Sequence, residues 1–431
     1  MRRRDFLGTM AGGVAAWTVL GSDRTCRAEE DPEARGARPN ILFLLSDDQR
    51  WDGLSCYGNQ DLKTPHIDRL ATEGARLDCF YPACPLCCPS RGAFLSGLYP
   101  HQNGVTRNSD KGLKPGTVTV ANLLGAAGYA TGFTGKTHLP NKPLEWGFKD
   151  TLREPGGPDL ERHAALFKGA GDYIEQHRKV PWCLWVATHL PHFPYLKDPK
   201  FSYAKEGLKA PPGWPKGQEF KTGEFPEYYS AISHLDEQVG SLLKRLDDLG
   251  LARNTLVLFA SDNGYMHGSH NWPSKRIWYE ESARTCALAR WPAKIKAGTK
   301  VPGPLSGVDL LPTICELTGA KKPAECEGTS MLPALTGGPP LRQAAFAEFI
   351  DSKEGWQMVR TPRHKYVRPL EGQKPPKKMG GNEILYDLQE DPSEANNLAG
   401  SGAHAKVLEE MRKQHADWIK LTATTEAGRG K

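Results

Sequence analysis

The chain has 431 residues, 39% hydrophobic and 25% charged, with a formal net charge of +6. That length and composition describe a globular protein of roughly two or three domains, not a disordered chain, and its core needs no disulfide staples, so ten cysteines do not read as a disulfide scaffold. No Lys/Arg stripe interleaved with aromatic residues appears, so the mild positive charge does not point to nucleic acid; it is compatible with an anionic substrate.

In chain order, Arg3-Arg4-Asp5-Phe6-Leu7 comes first, followed by a weakly apolar segment from Gly8 to Gly21 and a polar stretch with Ala28. The apolar segment is too short and glycine-rich to span a bilayer. The pattern is that of an export signal, and the arginine pair resembles the twin-arginine type. Residues 1–30 are therefore read as a signal peptide, the protein as periplasmic or secreted, and the twin-arginine machinery as a partner. Cys26 has no lipobox before it, which argues against a lipid anchor.

Four continuous apolar runs follow: Ile41–Leu45, Tyr129–Phe133, Cys183–Ala187 and Leu256–Ala260. Unbroken runs of this length read as strands buried on both faces, as in parallel sheets. Helical periodicity occupies His66–Ala75, Thr119–Ala127 and Tyr228–Leu249, the last closed by Gly250. Residues 196–226, rich in Pro, Gly and Lys, read as a surface loop or substrate lid. Alternating strands and helices predict an α/β domain with a mainly parallel sheet. After a Gly/Pro-rich break at 335–345 come four short runs with turn residues between them, a small antiparallel sheet, and a helix over His404–Leu421. The expected organisation is a catalytic α/β domain over 38–338 and a smaller α+β subdomain over 339–425.

Each apolar run ends in polar residues: Ser46-Asp47-Asp48, Thr134-Gly135-Lys136-Thr137-His138, Thr188-His189-Leu190-Pro191-His192 and Ser261-Asp262-Asn263. Parallel strands place their carboxyl ends on one edge, where ligands bind in open α/β sheets. Asp47, Asp48, Asp262 and Asn263 would then converge, and carboxylates so gathered repel one another without a cation. An all-oxygen set favours Ca²⁺, with Mg²⁺ second, over zinc.

The stretch "ACPLCCPSR" (83–91) holds Cys84, Cys87 and Cys88. It reads as a redox C-x-x-C, as half of a zinc site, or as the source of a modified residue. No thioredoxin-like pattern and no second cysteine pair at ligand spacing support the first two. The residues after it read as a helix through Leu98, so a nucleophile here would face a helix N-terminus, and Arg91 adds a fork suited to oxyanions.

The run Cys87-Cys88-Pro89-Ser90-Arg91-Gly92-Ala93-Phe94-Leu95-Ser96-Gly97 resembles the C-x-P-S-R-x-x-x-L-[S/T]-G signature of type I sulfatases, in the alkaline phosphatase superfamily. "PNILFLLSDDQRWDGLSCYGN" (39–59), "GYATGFTGKTH" (128–138), "LPHFP" (190–194), "SDNGYMHGSHNWPSKRIWYEES" (261–282) and "LYDLQEDPSEANNLA" (385–399) are similar to other marks of that family, over about residues 38–420. The resemblance implies an alkaline phosphatase-like fold and conversion of Cys87 to Cα-formylglycine by a formylglycine-generating maturation enzyme. It implies that Asp47, Asp48, Asp262 and Asn263 hold Ca²⁺ and that Arg91 and Lys136 stabilise the aldehyde hydrate. His138 would be the base, while His192 and Lys275 would bind sulfate and one of them would protonate the leaving oxygen. His189 is a candidate substrate contact or a loop histidine, His270 a sugar contact or a residue supporting the site from behind, and His267 a residue that tunes specificity. Cys84, Cys88, His101 and His234 read as structural, His234 on an exposed helix face. The implied activity is hydrolysis of sulfate esters or sulfamates on carbohydrate, as in iduronate-2-sulfatase and sulfamidase-like groups. A formylglycine-dependent phosphonate monoester or phosphodiester hydrolase and a non-catalytic, metal-stabilised carbohydrate-binding protein are the alternatives.

Overall fold

The computed structural model describes residues 38–140, 142–152, 159–339, 342–380 and 383–427. The signal-peptide reading of residues 1–30 lies outside them. Eight strands form the first sheet: β1 (Asn40–Ser46), β2 (Ala75–Tyr81), β3 (Ala130–Gly135), β4 (Asp150–Thr151), β5 (Trp182–Ala187), β6 (Thr255–Ser261), β7 (Ala287–Arg290) and β8 (Thr299–Ser306). The helices are α1 (Pro65–Thr72), α2 (Cys87–Ser96), α3 (Pro100–Asn103), α4 (Val120–Ala126), α5 (Leu160–Gln176), α6 (Phe225–Asp248), α7 (Glu280–Ala283), α8 (Leu310–Thr318), α9 (Leu332–Leu335) and α10 (Ala405–Ala427).

The sheet order is β4-β3-β5-β1-β6-β7-β2-β8. Every pairing is parallel except those of β7, which runs against both β6 and β2. Strand β1, buried at every residue, lies in the middle. Its alternate side chains feed two cores. Ile41, Phe43 and Leu45 pack with Phe94 of α2, Leu124 of α4 and Ile314 of α8. Leu42 and Leu44 pack with Ile67 of α1, Phe167 of α5 and Ile232 and Val239 of α6. Phe43 is clamped by Trp185, with ring centroids 4.4 Å apart, and by Phe94 at 5.6 Å. Burial of one such side chain contributes about 1.5–3 kcal/mol. Two apolar faces require two helix layers, which is why the strands show no alternation.

The predicted α/β class with a mainly parallel sheet is what forms. Helix α1 is shorter than the spacing predicts: it ends at Thr72, and Ala75 already opens β2. Gly74 sits where a Cβ would collide with the Ala289 carbonyl of β7, so the chain passes here from helix to strand. Helix α2 stops at Ser96, not Leu98, because Gly97 (φ 66°) is a left-handed cap. Strand β8 carries Pro302 and Pro304, which a sheet accommodates at its edge, where β8 lies.

The second sheet is antiparallel, β12-β11-β10-β9, built from β9 (Ala345–Ile350), β10 (Gly355–Arg360), β11 (His364–Pro369) and β12 (Ile384–Asp387). It shares a core with the first part of the chain, in which Ala347, Trp356 and Met358 meet Tyr81, Leu86, Ile277 and Trp278. The fully buried Lys365 reinforces this seam: its Nζ lies 2.6 Å from both Glu280 and Glu394 and donates to the Trp278 carbonyl at 2.9 Å.

Gly135 ends β3 with φ 93°, and a Cβ there would collide with the Ala187 carbonyl, which also accepts the Lys136 N–H. Gly135→Ala is expected to lower the unfolding free energy by at least about 1–2 kcal/mol, the cost of a left-handed L-residue alone. Urea denaturation measures it, and unchanged stability would refute the tight approach of β3 and β5.

Candidate active site

The rim at the carboxyl ends of the parallel strands is set by register. Ser46 of β1 faces Ser261 of β6, so Asp47 and Asp262 leave the sheet side by side, and the Asp262 N–H donates to the Ser46 carbonyl at 3.1 Å. On the other side Leu45 faces Ala187, which in turn faces Gly135. Lys136 and the 188–194 turn thereby emerge beside Asp47. The Asp47 N–H donates to the Leu190 carbonyl at 2.9 Å, tying that turn to the β1 terminus.

Asp48 adopts a left-handed conformation (φ 58°), uncommon for a non-glycine residue. Its N–H donates to Asp262 Oδ1 at 3.2 Å, and its carbonyl accepts the Tyr228 hydroxyl of α6 at 3.2 Å. The same hydroxyl accepts the Arg50 N–H at 2.9 Å. Helix α6 thus holds the bend that turns both aspartates to one side.

Cys87 is the first residue of α2 and is 1% exposed. Its Sγ lies 2.8 Å from Lys275 Nζ, 3.6 Å from Asp47 Oδ1 and 4.0 Å from Asp48 Oδ1. One turn along α2, the Arg91 guanidinium forms a two-pronged contact with Asp262 Oδ2, both prongs at 2.8 Å, and donates to the Lys136 carbonyl at 2.9 Å. Lys136 pairs with Asp47 and Lys275 with Asp48. His192 Nε2 stands 3.6 Å from Asp48 Oδ2 on the more exposed side. Asp47, Asp48, Cys87 and His192 each offer a donor atom within 4.8 Å of the others'.

Three carboxylates and three cations, all nearly free of solvent, face one another here. Burial pushes the Asp47 carboxyl up, but Lys136, Arg91 and Lys275 outweigh it and hold it well below the usual range. Burial, with Asp47 beside it, leaves the Asp262 carboxyl raised despite Arg91 and Lys275. Burial would drive Lys275 to lose its proton, yet Asp48 and its neighbours keep it charged. The Cys87 thiol is pushed well above its ordinary value by burial, which Lys275 only partly offsets and Asp47 reinforces.

A hard divalent cation fits this group. Asn263 Oδ1 is buried with no hydrogen-bond partner, while its Nδ2 donates to Asp48 Oδ1 at 2.6 Å. An amide oxygen left bare beside three buried carboxylates is an oxygen-rich donor set of the kind Ca²⁺ takes.

The structure brings together Asp47, Asp48, Cys87, Arg91, Lys136, His192, Asp262, Asn263 and Lys275. His138 (φ 53°) lies within electrostatic reach of Lys136 and Arg91, and its Nδ1 is buried without a hydrogen-bond partner. Burial and those two cations depress it to about 3, so its ring is neutral. His189 is half-buried at the head of the turn, and its carbonyl accepts the His192 N–H at 2.8 Å. His270 makes its contacts outside the group: it stacks on Tyr279 at 3.7 Å and faces Glu281 at 3.3 Å. His267 packs among the rings of Tyr228, Tyr265 and Phe225.

Cys84 is fully buried in the core between the two sheets, and the Cys88 thiol donates to the His138 carbonyl at 2.7 Å. His101 pairs with Glu348 at 2.8 Å. His234 does not lie on an exposed helix face: it is 4% exposed and bonded to Asp198 at 2.8 Å, because the 196–226 segment covers that side of α6. Two contributors escape sequence reasoning. Tyr228 is about 180 residues from the aspartate it props, and no local pattern links them. Asn108, which accepts the Cys88 N–H at 3.1 Å, sits in an unpatterned loop.

Residues 39–320 match the family model described as Sulfatase, and residues 268–420 match one described as N-sulphoglucosamine sulphohydrolase, C-terminal. The chain belongs to the Sulfatase family and is a sulfuric ester hydrolase, which sets aside a purely carbohydrate-binding role. It is 26% identical over 498 residues to an N-acetylglucosamine-6-O-sulfatase of Bacteroides thetaiotaomicron, covering 88% of this chain and 87% of that one. It is 29% identical over 441 residues to an ulvan-active sulfatase of Formosa agariphila, covering 92% and 84%. A solved structure described as a complex with its substrate D-glucosamine-2-N,6-O-disulfate matches with a TM-score of 0.79 at 22% identity, over 91% of this chain and all of that one. The phosphonate monoester hydrolase of Agrobacterium radiobacter matches with a TM-score of 0.75 at 22% identity, over 90% and 96%. At those identities the structural likeness speaks for the alkaline phosphatase-like fold.

Calcium at a hundred times its dissociation constant is expected to stabilise the protein by about 2.7 kcal/mol. A raised thermal midpoint, reversed by chelator and lost in Asn263→Ala, checks this; a midpoint indifferent to both additions would rule out a cation site on the rim.

Proposed function

We propose that this sulfatase removes sulfate from a carbohydrate at a calcium-dependent centre in which Cys87 has been converted to Cα-formylglycine. The observation that carries the reading is the position of Cys87. It opens a buried helix between Lys275 and the Asp47–Asp48 carboxylates, with its thiol held protonated. A thiol held protonated is a poor nucleophile, so the residue at the focus of all this charge gains little by remaining a cysteine.

Asp47, Asp48, Asp262 and Asn263 would hold the cation, which polarises sulfate oxygens. The formylglycine hydrate supplies two hydroxyls on one carbon, one to take the sulfuryl group and the other to drive its release. The remaining roles belong to the chain's own side chains. Lys275, 2.8 Å from Sγ, neutralises charge next to position 87. Arg91 and Lys136 add fixed positive charge in a site closed to water, where it acts most strongly. His138, whose Nδ1 is buried without a partner, would be the group to take the proton from the hydrate's second hydroxyl. His192, 34% exposed in its side chain, stands toward the mouth and donates a proton to the departing oxygen.

The carbohydrate class is supported by the named relatives, which act on N-acetylglucosamine 6-sulfate and ulvan, and by the C-terminal match to an N-sulphoglucosamine sulphohydrolase. That match also keeps sulfamates within the class. Phosphonate monoester hydrolysis is the second reading, favoured by the neighbour with that activity. We further propose a periplasmic or secreted location reached through the twin-arginine route, with a formylglycine-generating enzyme acting first on the unfolded chain. The support is the Arg3-Arg4-Asp5-Phe6-Leu7 run and the burial of Cys87 in the folded protein.

Mass spectrometry of the peptide spanning residues 83–91, after co-expression with a formylglycine-generating enzyme, is expected to find an aldehyde in place of the thiol. Cys87→Ala should then cut turnover of a sulfated monosaccharide by at least about a thousandfold. An unmodified thiol in fully active enzyme would sink the mechanism, and faster turnover of nitrophenyl phenylphosphonate than of nitrophenyl sulfate would favour the second reading. Replacing Arg3 and Arg4 with lysine should leave the protein in the cytoplasm on cell fractionation; unchanged export would refute the route.

A further inference from the structure

Four large hydrophobic side chains stand out as exposed among the described residues, and one of them, Phe193, at 53% exposure, directly follows His192. Of the other three, Leu144 lies in the turn Pro143–Trp146, Val180 precedes β5 at the end of the strand away from the rim, and Leu421 is on α10. The turn that carries Phe193 is tied to β1 at two points, Thr188 N–H to the Leu45 carbonyl and Asp47 N–H to the Leu190 carbonyl, both 2.9 Å. Within the turn the Leu190 N–H donates to Thr188 Oγ1 at 3.0 Å, and the His192 ring contacts the Phe193 carbonyl. Tyr195 meets the Phe193 ring edge-on, at 5.5 Å and 87°. Tyr195 is itself braced by Tyr228 at 5.7 Å, the residue whose hydroxyl supports Asp48.

Phe193 is thus a braced aromatic ring, half open to water, next in the chain to the proton donor. The substrate group nearest His192 is the one that carries the departing oxygen. On a carbohydrate this is a pyranose, whose C–H face is apolar although its rim is polar. We propose that Phe193 is a specificity residue that stacks against the sugar ring bearing the scissile sulfate, while the buried charges below take the sulfate itself. This rests on the carbohydrate reading above. It divides recognition between a charged floor that reads the sulfate and an aromatic wall that reads the ring.

The test uses the mature, formylglycine-containing enzyme and a panel of sulfated monosaccharides. Phe193→Ala is expected to raise KM for the preferred sugar about tenfold, within the range that aromatic stacking supplies, with kcat changed less than about twofold. Phe193→Trp should keep the wild-type KM. The constant for competitive inhibition by inorganic sulfate should not move in either variant, because sulfate alone does not reach the ring. An unchanged KM in Phe193→Ala overturns the proposal. An equal weakening of sugar and inorganic sulfate also overturns it, since the residue would then act by positioning His192. If the wild-type enzyme turns over nitrophenyl sulfate but no sulfated sugar, the carbohydrate reading fails, and the stacking role falls with it. Comparable thermal midpoints for wild type and variants exclude a folding defect.

Discussion

The constraint on which the structure depends is the crowding of like charge at the end of a buried sheet. Asp47, Asp48 and Asp262 emerge from adjacent strands with almost no access to water. Ionised carboxylates so placed are costly unless paired. Arg91 from α2, Lys136 just past β3 and Lys275 from the segment after β6 each touch a carboxylate. Helix α2 must lie where it does for Arg91 to reach Asp262, and that placement also sets Cys87 at the centre. The Coulombic balance and the position of the reacting residue are therefore one arrangement. A bound divalent cation would shift the group from neutral to positive, which suits the anionic sulfate ester.

The rim was legible because the central strands are buried on both faces. Ile41–Leu45, Cys183–Ala187 and Leu256–Ala260 are apolar without interruption, and the first polar residue after each marks the edge of the sheet. The strands on the far side of β6 gave no such signal. In β2, Ala75–Tyr81, Arg76 and Asp78 alternate with buried residues and pair with each other at 2.6 Å, so the stretch reads as neither a core strand nor a helix. Strand β7 is only four residues long, and nothing in the long segment 262–286 that returns the chain from β6 records its antiparallel direction. Helix α5 has a clear buried face, yet it follows a stretch without signature and lies in no family motif.

Within the site, what the sequence conveyed were residues at strand ends or inside a motif. What it did not convey were props acting across the fold. Tyr228 was legible only as part of a helix, and Asn108 only as part of a loop. His270 was legible only by its place in the segment after β6; its left-handed backbone (φ 54°) and its stacking on Tyr279 and approach to Glu281 were not.

The buried Lys365 bears on how this architecture can be taken apart or recombined. Its ammonium belongs to β11, whereas its partners are Glu280 of α7, Glu394 beyond β12 and the carbonyl of Trp278. Withdrawing one member of such a buried set costs about 3–5 kcal/mol, because the charges left behind have no water to turn to. The four-stranded sheet is thus no detachable appendage. An engineered chimera that borrowed it from a cousin would have to import the Trp278–Glu281 stretch as well, so the smallest exchangeable unit straddles the Gly/Pro-rich break instead of starting there.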